Sequence, residues 1–174
     1  MNTGAPNIAK YSALHSVSII NNRPLSRNEA LEVASIDRTI FSRNPLQEIV
    51  HTRIDEDTFR RLVLIRNPET EVITSKVRRL DDVATYLKLH NITPYDLPKL
   101  DEWFTRVKNI YLNFEYMKME PITLVPLCQD EEEAVNNGSW YLEGGNHRSL
   151  ALALKLYLDG FSYKPIEAII VYPR

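Results

Sequence analysis

Apolar and polar positions alternate along this chain with two different periods, and the change falls near Pro121. Upstream, the clearest pattern is Leu100, Trp103, Phe104, Val107, Ile110, Tyr111 and Phe114. That i, i+3, i+4, i+7 stripe predicts an amphipathic helix over 100–114, its aromatic side chains serving as core. Ser26 with Glu29 three residues on is a capping-box signature, predicting a helix over 27–36. Asp55 predicts the start of a helix over 56–66, with Phe59, Leu62 and Val63 on its apolar side. Asn67-Pro68-Glu69-Thr70 reads as a turn and Glu71–Thr74 as a short strand. Asp81 or Asp82 opens a helix to about His90, with Val83, Tyr86 and Leu87 inward.

Downstream of Pro121 the pattern shortens. Ile122–Val125 and Trp140–Glu143 predict strands, with an acidic loop and an Asn137-Gly138 turn between them. Gly144-Gly145 punctuates the second strand. An apolar helix over 149–158 comes next, stopped by Asp159-Gly160. Pro165 opens a closing strand, Ile166–Tyr172. The reading is α+β, or a small mixed sheet with appended helices. Residues 1–24 form an arm with one short strand at Val17–Ile20, and 25–174 a single domain. Strands at 122–125, 140–143 and 166–172 are expected to share one sheet.

Composition narrows the classes. A hydrophobic content of 44 % with 25 % charged residues is ordinary for a globular chain, and 174 residues can bury a core without staples. The net charge of −2 argues against a general basic coat for nucleic acid. Cys128 is the only cysteine, so an internal disulfide and a cysteine zinc site are excluded. No run approaches the ~20 apolar residues of a membrane span. A cytoplasmic location is the expectation.

The chemistry concentrates at residues 143–149. A strand feeding Gly-Gly into a helix leaves the helix's first N–H groups unpaired, with the positive end of the dipole behind them. Glycine allows a close approach of backbone to an anion. Arg148 brings a fork that matches phosphate oxygens, and His147 a group that donates hydrogen bonds or moves protons. Glu143 is the nearest acid, able to hold a metal or accept a proton. On these residues alone, a phosphate cradle and a tight turn whose His and Arg only cap or salt-bridge both remain open. Secondary candidates are Arg78 and Arg79, for a nucleic-acid or triphosphate groove, and Glu115 and Glu120, just before the Pro-Ile strand. For each, a solvated surface role is the competing reading. No Walker-type, His-Glu-x-x-His or Gly-x-Ser-x-Gly motif occurs.

Pro121-Ile122-Thr123-Leu124-Val125, then Tyr141-Leu142-Glu143-Gly144-Gly145-Asn146-His147-Arg148-Ser149-Leu150-Ala151, then Pro165-Ile166-Glu167-Ala168-Ile169-Ile170-Val171 resemble the ParB/sulfiredoxin-like superfamily over residues 119–173. That family's members handle nucleotides or nucleic acids through the matching turn. They include partition proteins that hydrolyse nucleotides, free-amino-acid kinases, sulfinic-acid reductases and nuclease-like domains.

The resemblance implies phosphate contacts from Gly145, Asn146, His147 and Arg148, and Gly144 and Ser149 on either side complete the candidate phosphate-binding set. It places Glu143 as the acid beside them; in an enzyme, Glu143 and His147 would be the catalytic residues, Glu143 holding Mg²⁺ or activating the nucleophile and His147 contacting the scissile phosphate or carrying a proton. Asn146 stands where sulfiredoxins carry their reactive cysteine, which excludes that chemistry here.

Three functions compete. The first is an enzyme on nucleoside triphosphates or nucleic acids, by hydrolysis, phosphoryl transfer or phosphodiester cleavage. The second is a non-catalytic nucleotide- or DNA-binding module. The third is an interaction domain that has lost its ligand. Partners would be a nucleotide or nucleic acid, with a protein partner or a second copy also compatible, and no membrane.

Overall fold

The computed structural model describes residues 19–33, 47–126 and 140–173. The expected acidic loop with its Asn137-Gly138 turn, Cys128, and most of the arm lie outside these residues, as do positions 34–36 of the first predicted helix.

Five strands form one mixed sheet in the order β1-β2-β5-β3-β4. They are β1 (Ile19–Leu25), β2 (Gln47–Ile54), β3 (Ile122–Pro126), β4 (Trp140–Gly144) and β5 (Ile166–Pro173). β5 lies parallel to β3 and antiparallel to β2, while β1–β2 and β3–β4 are antiparallel. The three strands expected together in one sheet are together. The α-helices of the described residues are α1 (Arg27–Val33), α2 (Glu56–Arg60), α3 (Glu71–Thr74), α4 (Leu80–Leu89), α5 (Trp103–Leu112) and α6 (Asn146–Tyr157).

Side-chain alternation divides the sheet's apolar residues between two cores. Val50, Ile54, Ile122, Leu124, Leu142 and Ile170 belong to the large core, with Leu80, Val83, Leu87, Phe104, Val107, Leu150 and Leu154 from α4, α5 and α6. Leu25, Ile49, Ile169 and Val171 form a smaller cluster with Ala30 of α1. The capping box forms as its spacing predicts: the Glu29 N–H donates to Ser26 Oγ at 3.2 Å, and the Ser26 N–H to Glu29 Oε2 at 2.7 Å.

Three expectations are corrected. The helix that Asp55 caps ends at Arg60, not at residue 66. Leu62, Val63 and Leu64 instead run beside β4: Val63 N–H donates to the Trp140 carbonyl at 2.8 Å and Leu142 N–H to the Val63 carbonyl at 3.0 Å. Open backbone groups on the edge of β4 outcompete further helix, because they need partners once buried.

Glu71–Thr74 is one turn of helix, not a strand. Asn67 and Thr70 lock the turn before it. Thr70 N–H donates to Asn67 Oδ1 at 2.9 Å and Asn67 N–H to Thr70 Oγ1 at 3.1 Å, which sets the chain turning the helical way. Finally, β2 is a full strand where no strand was expected. Its two sides are both covered, Val50 in one core and Ile49 in the other, so it lacks a clean alternation.

Candidate functional site

β4 ends at Gly144, and α6 begins directly after Gly145. The turn expected between residues 144 and 148 is therefore present, with α6 opening three residues earlier than its apolar pattern suggested. Gly145 occupies the N-cap with φ +85°, in the left-handed region, and gives no side-chain cap. A Cβ there would come within 2.7 Å of Ile122 Cγ2. Glycine is required both by backbone angle and by the close seat of the turn on β3. Ser149 N–H donates to Gly145 O at 2.8 Å as the first α-helical hydrogen bond, so helix geometry leaves the amides of Asn146, His147 and Arg148 at the open end of α6.

Glu143 is the extra residue of a β-bulge. Thr123 pairs with Gly144 and Leu124 with Leu142, so two residues of β4 oppose one step of β3. Bulges re-aim side chains at the end of a ladder. Glu143 is half-buried there.

Asn146 is buried, and its carboxamide serves the fold. Oδ1 accepts from Ile65 N–H at 2.9 Å and Nδ2 donates to Leu142 O at 3.0 Å. It ties the start of α6 to β4 and to the segment beside it. Ser149 is fully buried, and its Oγ has no hydrogen-bond partner among the described residues. What these two positions offer a ligand is their place in the turn; the amide of Asn146 lies at the helix end.

His147 stacks on Trp103 at the start of α5, with ring centroids 4.0 Å apart and planes 28° from parallel. Burial pulls its pKa down to about 4, and the nearby guanidinium groups of Arg106 and Arg148 push the same way. A hydrogen bond to the Trp103 backbone opposes them. The imidazole is neutral at pH 7.

The Arg148 side chain folds back over the turn. Nη1 donates to Glu120 at 3.0 Å and Nη2 to the Pro121 carbonyl at 3.3 Å; a Cβ on Gly145 would lie 3.4 Å from Nη2. Its Nε is buried without a partner among the described residues. The sequence-predicted group therefore converges in part: the glycine turn, His147, Arg148 and Glu120 sit together.

The other secondary candidates are elsewhere or already engaged. Arg78 donates to Leu64 O and lies over the Tyr141 ring, 5.7 Å from its centroid. Arg79 makes a two-pronged contact with Asp81, from Nε at 3.2 Å and Nη2 at 2.8 Å. Glu115 pairs with Lys118 at 2.8 Å.

Beside Arg148 opens a groove of about 390 Å³ between α5 and the connection to β3. Arg106, Asn109, Ile110 and Phe114 line one side of it, and Met119 and Glu120 the other. The pattern along α5 held the signal. Phe104, Val107 and Tyr111 are buried, while Arg106, Asn109, Ile110 and the C-cap residue Asn113 recur at i, i+3, i+4 and i+7 on a neighbouring face, and Phe114 follows just past the helix end. Read from sequence, Ile110 and Phe114 belong to the core stripe; in the fold they pack on the core's edge and also floor the groove.

Among the described residues no three His, Cys, Asp or Glu side chains gather as a metal-binding group. One carboxylate ligand, as Glu143 would provide, fits only an ion held mainly by a ligand's own phosphates, as Mg²⁺ commonly is. No helix of the described residues is long and apolar enough to cross a membrane. Comparisons with protein-family models, curated proteins and solved structures find no match to this chain.

Proposed function

We propose that this chain binds the phosphate of a nucleotide or nucleic acid at the N-terminus of α6, within a ParB/sulfiredoxin-like fold formed by β3, β4, α6 and β5. The observation that carries this reading is the placement of the Arg148 guanidinium directly over the uncapped, left-handed Gly145 turn. The amide end of α6 and a forked cation lie against the same turn, and that combination suits a phosphate oxygen better than a carboxylate side chain alone. In this reading Glu120 is a place-holder, an internal anion on the group that phosphate would take.

Two versions differ in the fate of the bound phosphate. As an enzyme, the chain hydrolyses a nucleoside triphosphate, transfers its phosphoryl group or cleaves a phosphodiester. Arg148 and the turn neutralise the phosphate, His147 contacts it from the mouth of the turn once the bound anion has brought a proton to its second ring nitrogen, and Glu143 accepts a proton or helps hold Mg²⁺. Bound Mg²⁺ would supply charge neutralisation on the phosphate oxygens. As a binding module it stops at recognition. The bulge at Glu143 favours the enzyme, since it takes the one acid at the end of β4 out of regular pairing. The depressed pKa of His147 favours the module, since a group titrating near 4 is a poor proton carrier at pH 7.

Calorimetric titration with nucleoside mono-, di- and triphosphates, with and without Mg²⁺, tests the common part, and a phosphate-release assay on the same samples divides the two versions. Affinity without release selects the module. No affinity for any nucleotide or nucleic acid at millimolar ligand overturns both.

A further inference from the structure

The face of the sheet that carries α1 is only half covered by it. Leu25, Ile49, Ile169 and Val171 pack with Ala30 at one end of that face. Side chains alternate along a strand, so Arg23, His51, Arg53 and Glu167 share the face toward its other end. They line a cleft of about 120 Å³. Arg53 and Glu167 also border a second cleft, of about 560 Å³, which adds Lys164 and the exposed Met117. Among the described residues Arg53 and Lys164 make no ion pair. Arg53 stands opposite Glu167 in the β2–β5 ladder, but Glu167 lies 3.8 Å from His51 Nε2 instead, and Arg23 has only the exposed Glu29 at 3.5 Å. This end of the face carries surplus positive charge on a chain whose net charge is −2.

A matching surplus of acid stands in one stretch of the sequence. Residues 1–18 contain no acid and 34–46 only Asp37, whereas 127–139 contain Asp130, Glu131, Glu132 and Glu133 with no Lys or Arg among them. Pro126 and Trp140, which bound that stretch, pair at the end of the sheet opposite Arg53. We propose that the acidic run 130–133 of a second copy of this chain docks on Arg23, Arg53 and Lys164, joining two molecules through opposite ends of their sheets. The proposal is independent of the phosphate reading of the α6 turn. The run of the same molecule is badly placed for the cluster. From Pro126, level with Tyr172, to Arg53, level with Glu167, is five residues along the strands and two strands across, about 19 Å. An extended chain spans at most ~3.3–3.6 Å per residue, so Glu131 reaches no farther than about 18 Å from Pro126. Glu133 arrives only with the stretch drawn close to straight over the cluster that α1 covers. A second copy presents the run without that cost in chain entropy. Ala134 and Val135 follow the acids and suit the Met117 side chain, a flexible apolar contact beside Lys164.

Sedimentation velocity on the full chain, at about 0.05 M and about 0.5 M salt, tests the contact. Wild type is expected to associate as its concentration rises, about tenfold or more tightly at the lower salt, because charge pairs at an exposed interface are screened. Two neutralised variants are expected to stay monomeric. One is Arg53→Gln with Lys164→Gln, both at exposed positions; the other is Asp130→Asn with Glu131→Gln, Glu132→Gln and Glu133→Gln. Each keeps one of the two patches, so a mixture is expected to form a complex of one molecule of each and nothing larger. Wild type that stays monomeric at low salt overturns the proposal, whether or not the cluster then takes an oligonucleotide. Association that either variant leaves unchanged overturns it too, as does a mixture in which the two variants do not meet. Should one variant fail to fold, the salt dependence of wild type and the other variant decide the matter.

Discussion

Arg148 and Glu120, 28 residues apart in the chain, meet at 3.0 Å over the Gly145 turn. Glu120 is about half exposed and Arg148 is mostly covered. A pair of this kind contributes little to stability, about 0–1 kcal/mol. It does fix where the guanidinium points, and a phosphate arriving at the turn must compete with the carboxylate for it.

That competition gives opposite signs for two substitutions. Glu120→Gln is expected to tighten binding of inorganic phosphate or nucleotide several-fold, by removing the internal anion. Arg148→Ala is expected to weaken it by roughly ten- to a hundredfold, since a charge-assisted contact is worth ~1.5–3 kcal/mol. Calorimetric titrations of the two variants and wild type check the pair of signs. Should Arg148 have only a structural part, both substitutions would lower the melting temperature and neither would change phosphate affinity.

His147 makes stability depend on pH in a defined direction. Its pKa in the folded chain is about 4, below its ordinary 6.5, so the unfolded chain binds the extra proton first. The contribution is complete above pH 6.5 and is lost as pH falls toward 4. His147→Phe, which keeps a ring against Trp103, is therefore expected to lose less stability than wild type between pH 7 and pH 5. Urea denaturation at several pH values measures it. Bound phosphate, as an anion nearby, is expected to raise the His147 pKa, visible in imidazole NMR shifts with and without ligand.

Gly145→Ala forces a methyl group into a left-handed residue and to within 2.7 Å of Ile122 Cγ2. The strain of such a backbone is about 1–3 kcal/mol before the clash is added. A lowered melting temperature is expected. Gly160 has φ +70°, but a Cβ added there would meet nothing within 4 Å, so Gly160→Ala is the control and is expected to cost less.

Asn146→Ala removes both arms of the bridge from Ile65 to Leu142. Each buried backbone group left without its partner costs about 1–3 kcal/mol, so a large drop in denaturation midpoint is expected. Asn146→Asp keeps the acceptor for Ile65 but turns a second oxygen toward the Leu142 carbonyl, and is expected to be destabilising too.

Short-range chemistry alone determined several parts of this protein. The Ser26–Glu29 box, the stripe of α5, the Pro-Ile strand and the Gly-Gly turn into α6 are written in neighbours three or four residues apart. Each is satisfied by local hydrogen bonds or by one buried face. Tertiary structure decided what depends on distant partners. Val63 left its helix because Trp140 and Leu142 offered edge hydrogen bonds, and β2 became an inner strand because both of its faces found cover. Asn146 was legible as a turn residue, but its buried bridge needed Ile65, 81 positions away, to be brought alongside. The groove was also beyond the sequence. Helical periodicity places Ile110 on α5, but only the path of the chain past the helix end at Leu112 decided that Ile110 and Phe114 would floor a cleft beside Arg148. Backbone groups and apolar faces take the partner that burial supplies, and the chain order does not name that partner.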